Sequence, residues 1–163
     1  MKVAVLIGSD SDFEVAQESL KILKDFELPF FLEVTSAHRT PQRTLKLIKD
    51  FEQKGVEIFI AMAGKAAHLA GFVAAHTLKP VIGVPIKGRA LSGLDSLLST
   101  VQMPRGVPVA AVGLGKSGAA NAALLAVQML ALNDESLTNR LQDYRQKMAL
   151  EVERKSKKIT DKL

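Results

Sequence analysis

Val3-Ala4-Val5-Leu6-Ile7-Gly8-Ser9-Asp10-Ser11-Asp12 decides the fold. Its apolar run has no polar alternation, which suits a strand buried on both faces and therefore a parallel sheet. The Gly-Ser-Asp-Ser-Asp turn then leads into a helix. The same unit recurs outward along the chain. Apolar runs over residues 30–35, 56–63, 81–85 and 107–112 supply four more strands. Between them, residues 13–26 place Val15, Ala16, Leu20, Leu23 and Phe26 at helical spacing, and residues 41–51 do so with Leu45, Leu47, Ile48 and Phe51. Thr40 suits a helix N-cap with Pro41 at the first helical position, and Lys54-Gly55 suits the helix end.

This alternation predicts an α/β fold, a flavodoxin-like three-layer α-β-α sandwich with a five-stranded parallel sheet in the order 2-1-3-4-5. In that architecture ligands bind beyond the strand C-termini, where loops 1 and 3 flank the switch in strand order. Residues 118–132 form an Ala/Leu-rich pattern expected to be a helix buried nearly all round. Beyond it, Leu137, Leu141, Tyr144, Met148 and Val152 recur at helical spacing on a highly charged segment with no further strand to cover. The expected organisation is an α/β domain over residues 1–132 and an extended C-terminal helix within 133–163. That helix is expected to pack on neighbouring subunits rather than fold back on its own domain.

With 163 residues, 47% of them hydrophobic, the chain is sized for one well-filled core. It has no cysteine, which excludes a disulfide framework and thiolate metal sites. The N-terminal stretch has one charge and a short apolar run, far below a signal-peptide core or a membrane span, so a cytoplasmic protein is expected. The net charge of +5 raises nucleic acid as a partner. Much of that excess lies in residues 145–162, however, and aromatics make up only 5% with no tryptophan, so a base-stacking platform is not expected. Small anionic metabolites fit the charge better.

Three loops carry chemistry. In loop 1, Gly8 permits close backbone approach, the Ser9 and Ser11 hydroxyls can hydrogen-bond a ligand, and the following helix N-terminus attracts an anion. Ser11 or Asp12 could equally cap that helix, and the two roles are compatible. Loop 2, Ser36-Ala37-His38-Arg39-Thr40-Pro41, presents a side chain able to move a proton near neutral pH beside a rigid fork of donors for carboxylate or phosphate. Loop 3, residues 63–71, is rich in small residues and carries Lys65, with His68 at the expected helix start. His76 lies eight residues later, about 80° round a helix from His68, and is expected to be structural. Two such histidines do not face one metal, so no metal site is expected. Gly113-Leu114-Gly115-Lys116-Ser117-Gly118 matches a dinucleotide fingerprint, but it follows the last strand and no βαβ unit follows it. It also fails as a P-loop, since Ala110 stands where the first glycine is required. A turn packed on a helix is the expected role.

Taken together, the motifs resemble the PurE family of purine biosynthesis, the 5-(carboxyamino)imidazole ribonucleotide mutases. The resemblance runs to about Leu132 and rests on Gly8-Ser9-x-Ser11-Asp12, Ser36-Ala37-His38-Arg39-Thr40-Pro41, Ala66-Ala67-His68-Leu69, Gly83-Val84-Pro85, Leu91-Ser92-Gly93-Leu94-Asp95-Ser96-Leu97-Leu98-Ser99, Gln102-Met103-Pro104-x-Gly106 and Asn121-Ala122-Ala123. It implies a homo-octamer with active sites shared among subunits and no cofactor. It further implies that Ser9, Asp12 and Arg39 bind a ribonucleotide, with Ser11 nearby and Ser36 orienting it. His38 would be the catalytic acid and base. His68, with Gly64, Lys65 and Ala66, would border the imidazole and the migrating carboxylate.

Two positions depart from the family pattern, Lys65 for a usual glycine and Ala70 for a usual proline. A positive φ at position 65 would strain a lysine, whereas its cation would suit a carboxylate. Related carboxylases that use carbon dioxide directly resemble this chain in carrying a basic residue in that loop. They differ at Arg39 and at Ala66-Ala67-His68, where the mutase form is kept, so direct carboxylation is the alternative reaction. A flavodoxin-like nucleotide-binding module is the alternative of another class, although a Thr- and Gly-rich flavin-phosphate loop is missing. Residues 87–93, glycine-rich and basic, are expected to form a mobile cover.

Overall fold

The computed structural model describes residues 1–88 and 90–162. Eleven principal elements follow in order: β1 (Val3–Ile7), α1 (Phe13–Asp25), β2 (Phe30–Val34), α2 (Pro41–Gln53), β3 (Ile58–Gly64), α3 (Leu69–Ala74), β4 (Val81–Ile86), α4 (Leu94–Val101), β5 (Ala110–Ala111), α5 (Gly115–Ala131) and α6 (Glu135–Thr160). The strands form one parallel sheet in the order β2-β1-β3-β4-β5. This is the flavodoxin-like α/β sandwich with an extended C-terminal helix that the alternation predicts.

β1 and β4 are buried along their whole length, which accounts for their unbroken apolar sequences. Successive side chains point to opposite faces. On one face Ala4, Leu6, Phe59, Ala61 and Val81 pack with Ile48 and Phe51 of α2 and Leu69, Ala70 and Val73 of α3. On the other, α1 covers β1, and α5 lies beside α1 through the Ser19 hydroxyl donating to the Ala119 carbonyl and Lys116 pairing with Glu14. Gly55, with φ +80°, ends α2 in the left-handed region as the Lys54-Gly55 pair predicts.

Several boundaries differ from expectation. The fifth strand shrinks from 107–112 to Ala110–Ala111. Pro108 has no N–H to offer a ladder, and the Ala111 N–H is spent locally on the Val109 carbonyl at 3.0 Å. α3 stops at Ala74, so His76 lies beyond it and the helical angle between His68 and His76 does not apply. The His76 Nδ1 instead meets the Phe72 carbonyl at 2.7 Å, with the two rings 4.4 Å apart, a structural role. α5 is not buried all round, since Asn121 and Gln128 are exposed while Ala119, Ala122, Ala123 and Ala126 are buried.

The chain divides into two compact units, residues 1–126 and the remainder from Val127 on. In the second unit Asp134 caps α6 by accepting the Leu137 N–H at 3.1 Å. Leu137 is buried, but Met148 and Val152 of the same stripe are exposed. No described helix is long and apolar enough to cross a membrane.

Candidate active site

The parallel sheet sets loops 1, 2 and 3 at one edge, because β2, β1 and β3 are neighbours and Val34, Ile7 and Met62 share a register. The Gly8 N–H donates to the Met62 carbonyl at 2.9 Å, and the Thr35 N–H donates to the Ile7 carbonyl at 2.9 Å. The three loop stems are therefore bonded to one another.

Loop 1 is a 3-10 turn over Asp10–Asp12 with Ser9 as its N-cap, and Asp12 occupies the N-cap position of α1. The Ser9 hydroxyl accepts the Ser11 N–H at 3.3 Å and the Ser11 hydroxyl at 3.0 Å, and donates to the Asp10 carboxylate at 2.9 Å. Asp12 makes no side-chain cap to α1. It is buried, and that burial raises its carboxyl above the ordinary range.

In loop 2 the Arg39 guanidinium donates through Nε to the Ser36 hydroxyl at 3.4 Å and through Nη2 to the Gly8 carbonyl at 3.3 Å, leaning across β1 toward loop 1. Thr40 occupies the N-cap position of α2 without capping it, which corrects the capping role expected for its hydroxyl. That hydroxyl bonds Ser36 instead.

In loop 3, Lys65 has φ +57°, the left-handed region in which a lysine is strained. Gly64 approaches β4 so closely that an added Cβ would stand 3.3 Å from the Ile86 carbonyl oxygen.

His38 Nε2 and His68 Nδ1 are 2.9 Å apart, their rings edge to face. The Ala66 carbonyl oxygen also lies 3.1 Å from His68 Nδ1. The contact ties the loop 2 imidazole to loop 3, whose own Ala66 carbonyl meets the same His68 nitrogen.

Two adjoining cavities meet at Ala37. The first, of about 380 Å³, is lined by Ser9, Ser11, Asp12, Ser36, Arg39, Gly64 and Lys65 among others, and it is the polar one. Neither Arg39 nor Lys65 has a carboxylate partner among the ion pairs of the described residues. The two cations therefore leave this cavity suited to an anion such as a phosphate ester. The second, of about 560 Å³, is lined by His38, His68, Phe72, Leu98, Gln102, Met103 and others. The loops do meet, but the histidines face the second cavity, and Ala66 lines neither and acts through its carbonyl. Phe72, Leu98, Gln102 and Met103 have no role in the sequence reading; the Leu91–Ser99 motif carries a signal for Leu98 and the Gln102-Met103-Pro104 motif for Gln102 and Met103, while Phe72 has none.

The segment expected to act as a cover lines neither of these cavities in its described residues. Arg89 lies outside the described residues, while Leu91, Ser92 and Gly93 all have positive φ. The Gly113–Gly118 turn packs as expected: a Cβ on Gly118 would overlap the Gly113 carbonyl, so this glycine serves helix contact. Among the described residues no group of three or more His, Asp or Glu is placed to hold a metal.

Comparison with known proteins places the sequence and the fold. The N5-carboxyaminoimidazole ribonucleotide mutase of Pyrococcus abyssi is 52% identical over 147 residues, 90% of this chain and 83% of that protein. The phosphoribosylaminoimidazole carboxylase of Saccharomyces cerevisiae is 48% identical over 157 residues, 96% of this chain but 27% of that longer protein. The crystal structure of Treponema denticola PurE superimposes with a TM-score of 0.85 at 28% identity, covering 93% of each chain. The family described as AIR carboxylase matches residues 2–151, most of the chain, and the chain belongs to the AIR carboxylase family.

Proposed function

We propose that the protein is a purine-biosynthetic isomerase that converts 5-carboxyamino-1-(5-phosphoribosyl)imidazole to 5-amino-1-(5-phosphoribosyl)imidazole-4-carboxylate. The observation that carries this reading is the His38–His68 contact at 2.9 Å beside a cavity lined by the two cations Arg39 and Lys65. Arg39 and the Ser9 and Ser11 hydroxyls hold the phosphate, Asp12 takes the ribose hydroxyls, and Ser36 orients the nucleotide. Gly64, Lys65, Ala66 and His68 border the imidazole and its carboxylate.

Protonated His38 donates to the exocyclic nitrogen as its bond to the carboxyl carbon breaks, leaving carbon dioxide and the neutral aminoimidazole. Ring carbon 4, made electron-rich by the amino group, attacks that carbon dioxide. The proton on carbon 4 then returns to His38, so the group ends as it began. No step calls on a cofactor or metal. Exclusion of water keeps the carbon dioxide close to carbon 4, and residues 87–93 are the segment proposed to cover it.

The active unit is proposed to be a cytoplasmic homo-octamer, with residues 1–132 as the catalytic domain and the helix within 133–163 packed on neighbouring subunits. Exposed Met148, Leu150, Val152 and Ile159 on α6 support that reading.

Lys65 and the yeast relative favour one second reading, direct carboxylation of the aminoimidazole ribonucleotide. A single assay separates them. The carboxyamino ribonucleotide, or the aminoimidazole ribonucleotide with bicarbonate, is supplied, and appearance of the carbon-4 carboxylate is followed. Turnover with the first is expected, and turnover only with the second would sink the mutase assignment. His38→Asn is expected to lower kcat at least about 100-fold while still binding the nucleotide.

A further inference from the structure

Thr40 stands where a helix cap belongs, yet its hydroxyl makes no bond to the first turn of α2. It turns back onto the loop before it, accepting the Ser36 N–H at 3.1 Å and donating to the Ser36 carbonyl at 3.1 Å. The same carbonyl accepts the Thr40 N–H at 2.9 Å. Ser36 is thus clamped by one residue, which leaves its own hydroxyl to accept the Arg39 N–H at 3.2 Å and Nε–H at 3.4 Å.

Two buried threonines lie beneath. Thr44 donates to the Thr40 carbonyl at 3.1 Å, and its oxygen is 2.7 Å from that of Thr35. Each hydroxyl has one proton to give. The Thr40 proton goes to Ser36 and the Thr44 proton to Thr40, so Thr35 donates to Thr44 and every hydroxyl has an acceptor. Among the described residues Arg39 makes no salt bridge with a carboxylate, Asp10 acting on it only through longer-range charge, so the Ser36 hydroxyl and the Gly8 carbonyl are the acceptors that aim its guanidinium.

We propose that Thr40 is a positioning residue: it forgoes capping α2 in order to fix Ser36, and through the Ser36 hydroxyl it directs Arg39 into the cation-lined cavity. The inference rests on that cavity being the ribonucleotide site. Thr40→Val keeps the shape of the side chain and removes both hydroxyl bonds, whereas Thr40→Ser keeps them.

The test uses the full chain, with steady-state kinetics on the carboxyamino ribonucleotide and the Arg39 Nε–H resonance of nucleotide-free protein. Thr40→Val is expected to raise KM about tenfold with kcat changed less than about threefold, and to lose the Arg39 resonance. Thr40→Ser is expected to match the parent in both. Ser36→Ala supplies a second route should Thr40→Val fold poorly. It should weaken the same resonance and raise KM, and the double variant should be no worse than either single one. A parental KM in Thr40→Val, equal damage from Thr40→Ser, or an Arg39 resonance indifferent to Ser36→Ala overturns the proposal. Should the parent chain not turn over this nucleotide, the functional reading fails, while the resonance still decides whether Thr40 positions Arg39.

Discussion

At φ +57°, Lys65 holds a backbone conformation that costs an L side chain about 1 kcal/mol or more. The lysine stem gains no burial in return, since it is exposed at the cavity rim. Lys65→Gly should therefore stabilise the fold by about 1 kcal/mol in denaturant titration. Its KM should rise severalfold if the ammonium serves the substrate, and an unchanged KM would make the lysine merely tolerated. Asp12 gives a pH signature. Burial raises its folded-state proton affinity, so protonation favours the fold. That contribution is complete at pH values below the ordinary carboxylate range and is lost as pH rises through the raised value. Asp12→Asn should accordingly melt above the parent at pH 7, with the gap closing toward pH 3, and it should bind the nucleotide more weakly. The residue types of the site were legible because histidine, arginine and a Gly-Ser turn advertise their chemistry locally. The diversion of Thr40 was not: an N-cap threonine looks the same in sequence whether it bonds forward to its helix or back to its loop.

Among the elements, β4 shows how packing constrains a strand. A Cβ on Gly83 would stand 2.5 Å from Thr100 Cγ2, 2.9 Å from Val109 Cγ1 and 3.1 Å from Ala70 Cβ. The neighbours are short or branched side chains in a filled layer, with little freedom to withdraw. Gly83→Ala should destabilise the protein by about 2 kcal/mol, read as a lower denaturation midpoint with an unchanged slope. The strands and long helices were readable because their periodicity is a property of consecutive residues. β5 is shorter than its apolar composition suggests because Pro108 has no N–H and the Ala111 N–H is spent on the Val109 carbonyl, although the Val112 N–H still reaches the Gly83 carbonyl of β4 at 3.1 Å. α5 was overread too, its small residues suggesting burial on faces that carry exposed Asn121 and Gln128.

For the whole molecule, some of the exposed apolar side chains cluster. Leu94, Leu98 and Val101 of α4 are 45–50% exposed, a stripe at helical spacing. The octameric reading gives such a stripe a partner. Leu94→Glu combined with Leu98→Glu should shift sedimentation velocity from an eight-chain species to smaller ones without loss of helical circular dichroism. Retention of the larger species would place the contacts elsewhere, for example on α6.

The sequence by itself determined the class of fold, the strand and helix inventory and three chemically equipped loops, since patterning and turn chemistry act over a few neighbouring residues. The tertiary structure alone decided how those loops share their work. His38 and His68 are thirty residues apart in the chain and 2.9 Å apart in space, because the order β2-β1-β3 brings their strands to one edge. The same order lets Arg39 reach Gly8 and sets the cationic cavity against the histidine cavity. Which hydroxyl caps and which clamps, and where lysine takes a glycine's conformation, depend on contacts that no local pattern encodes.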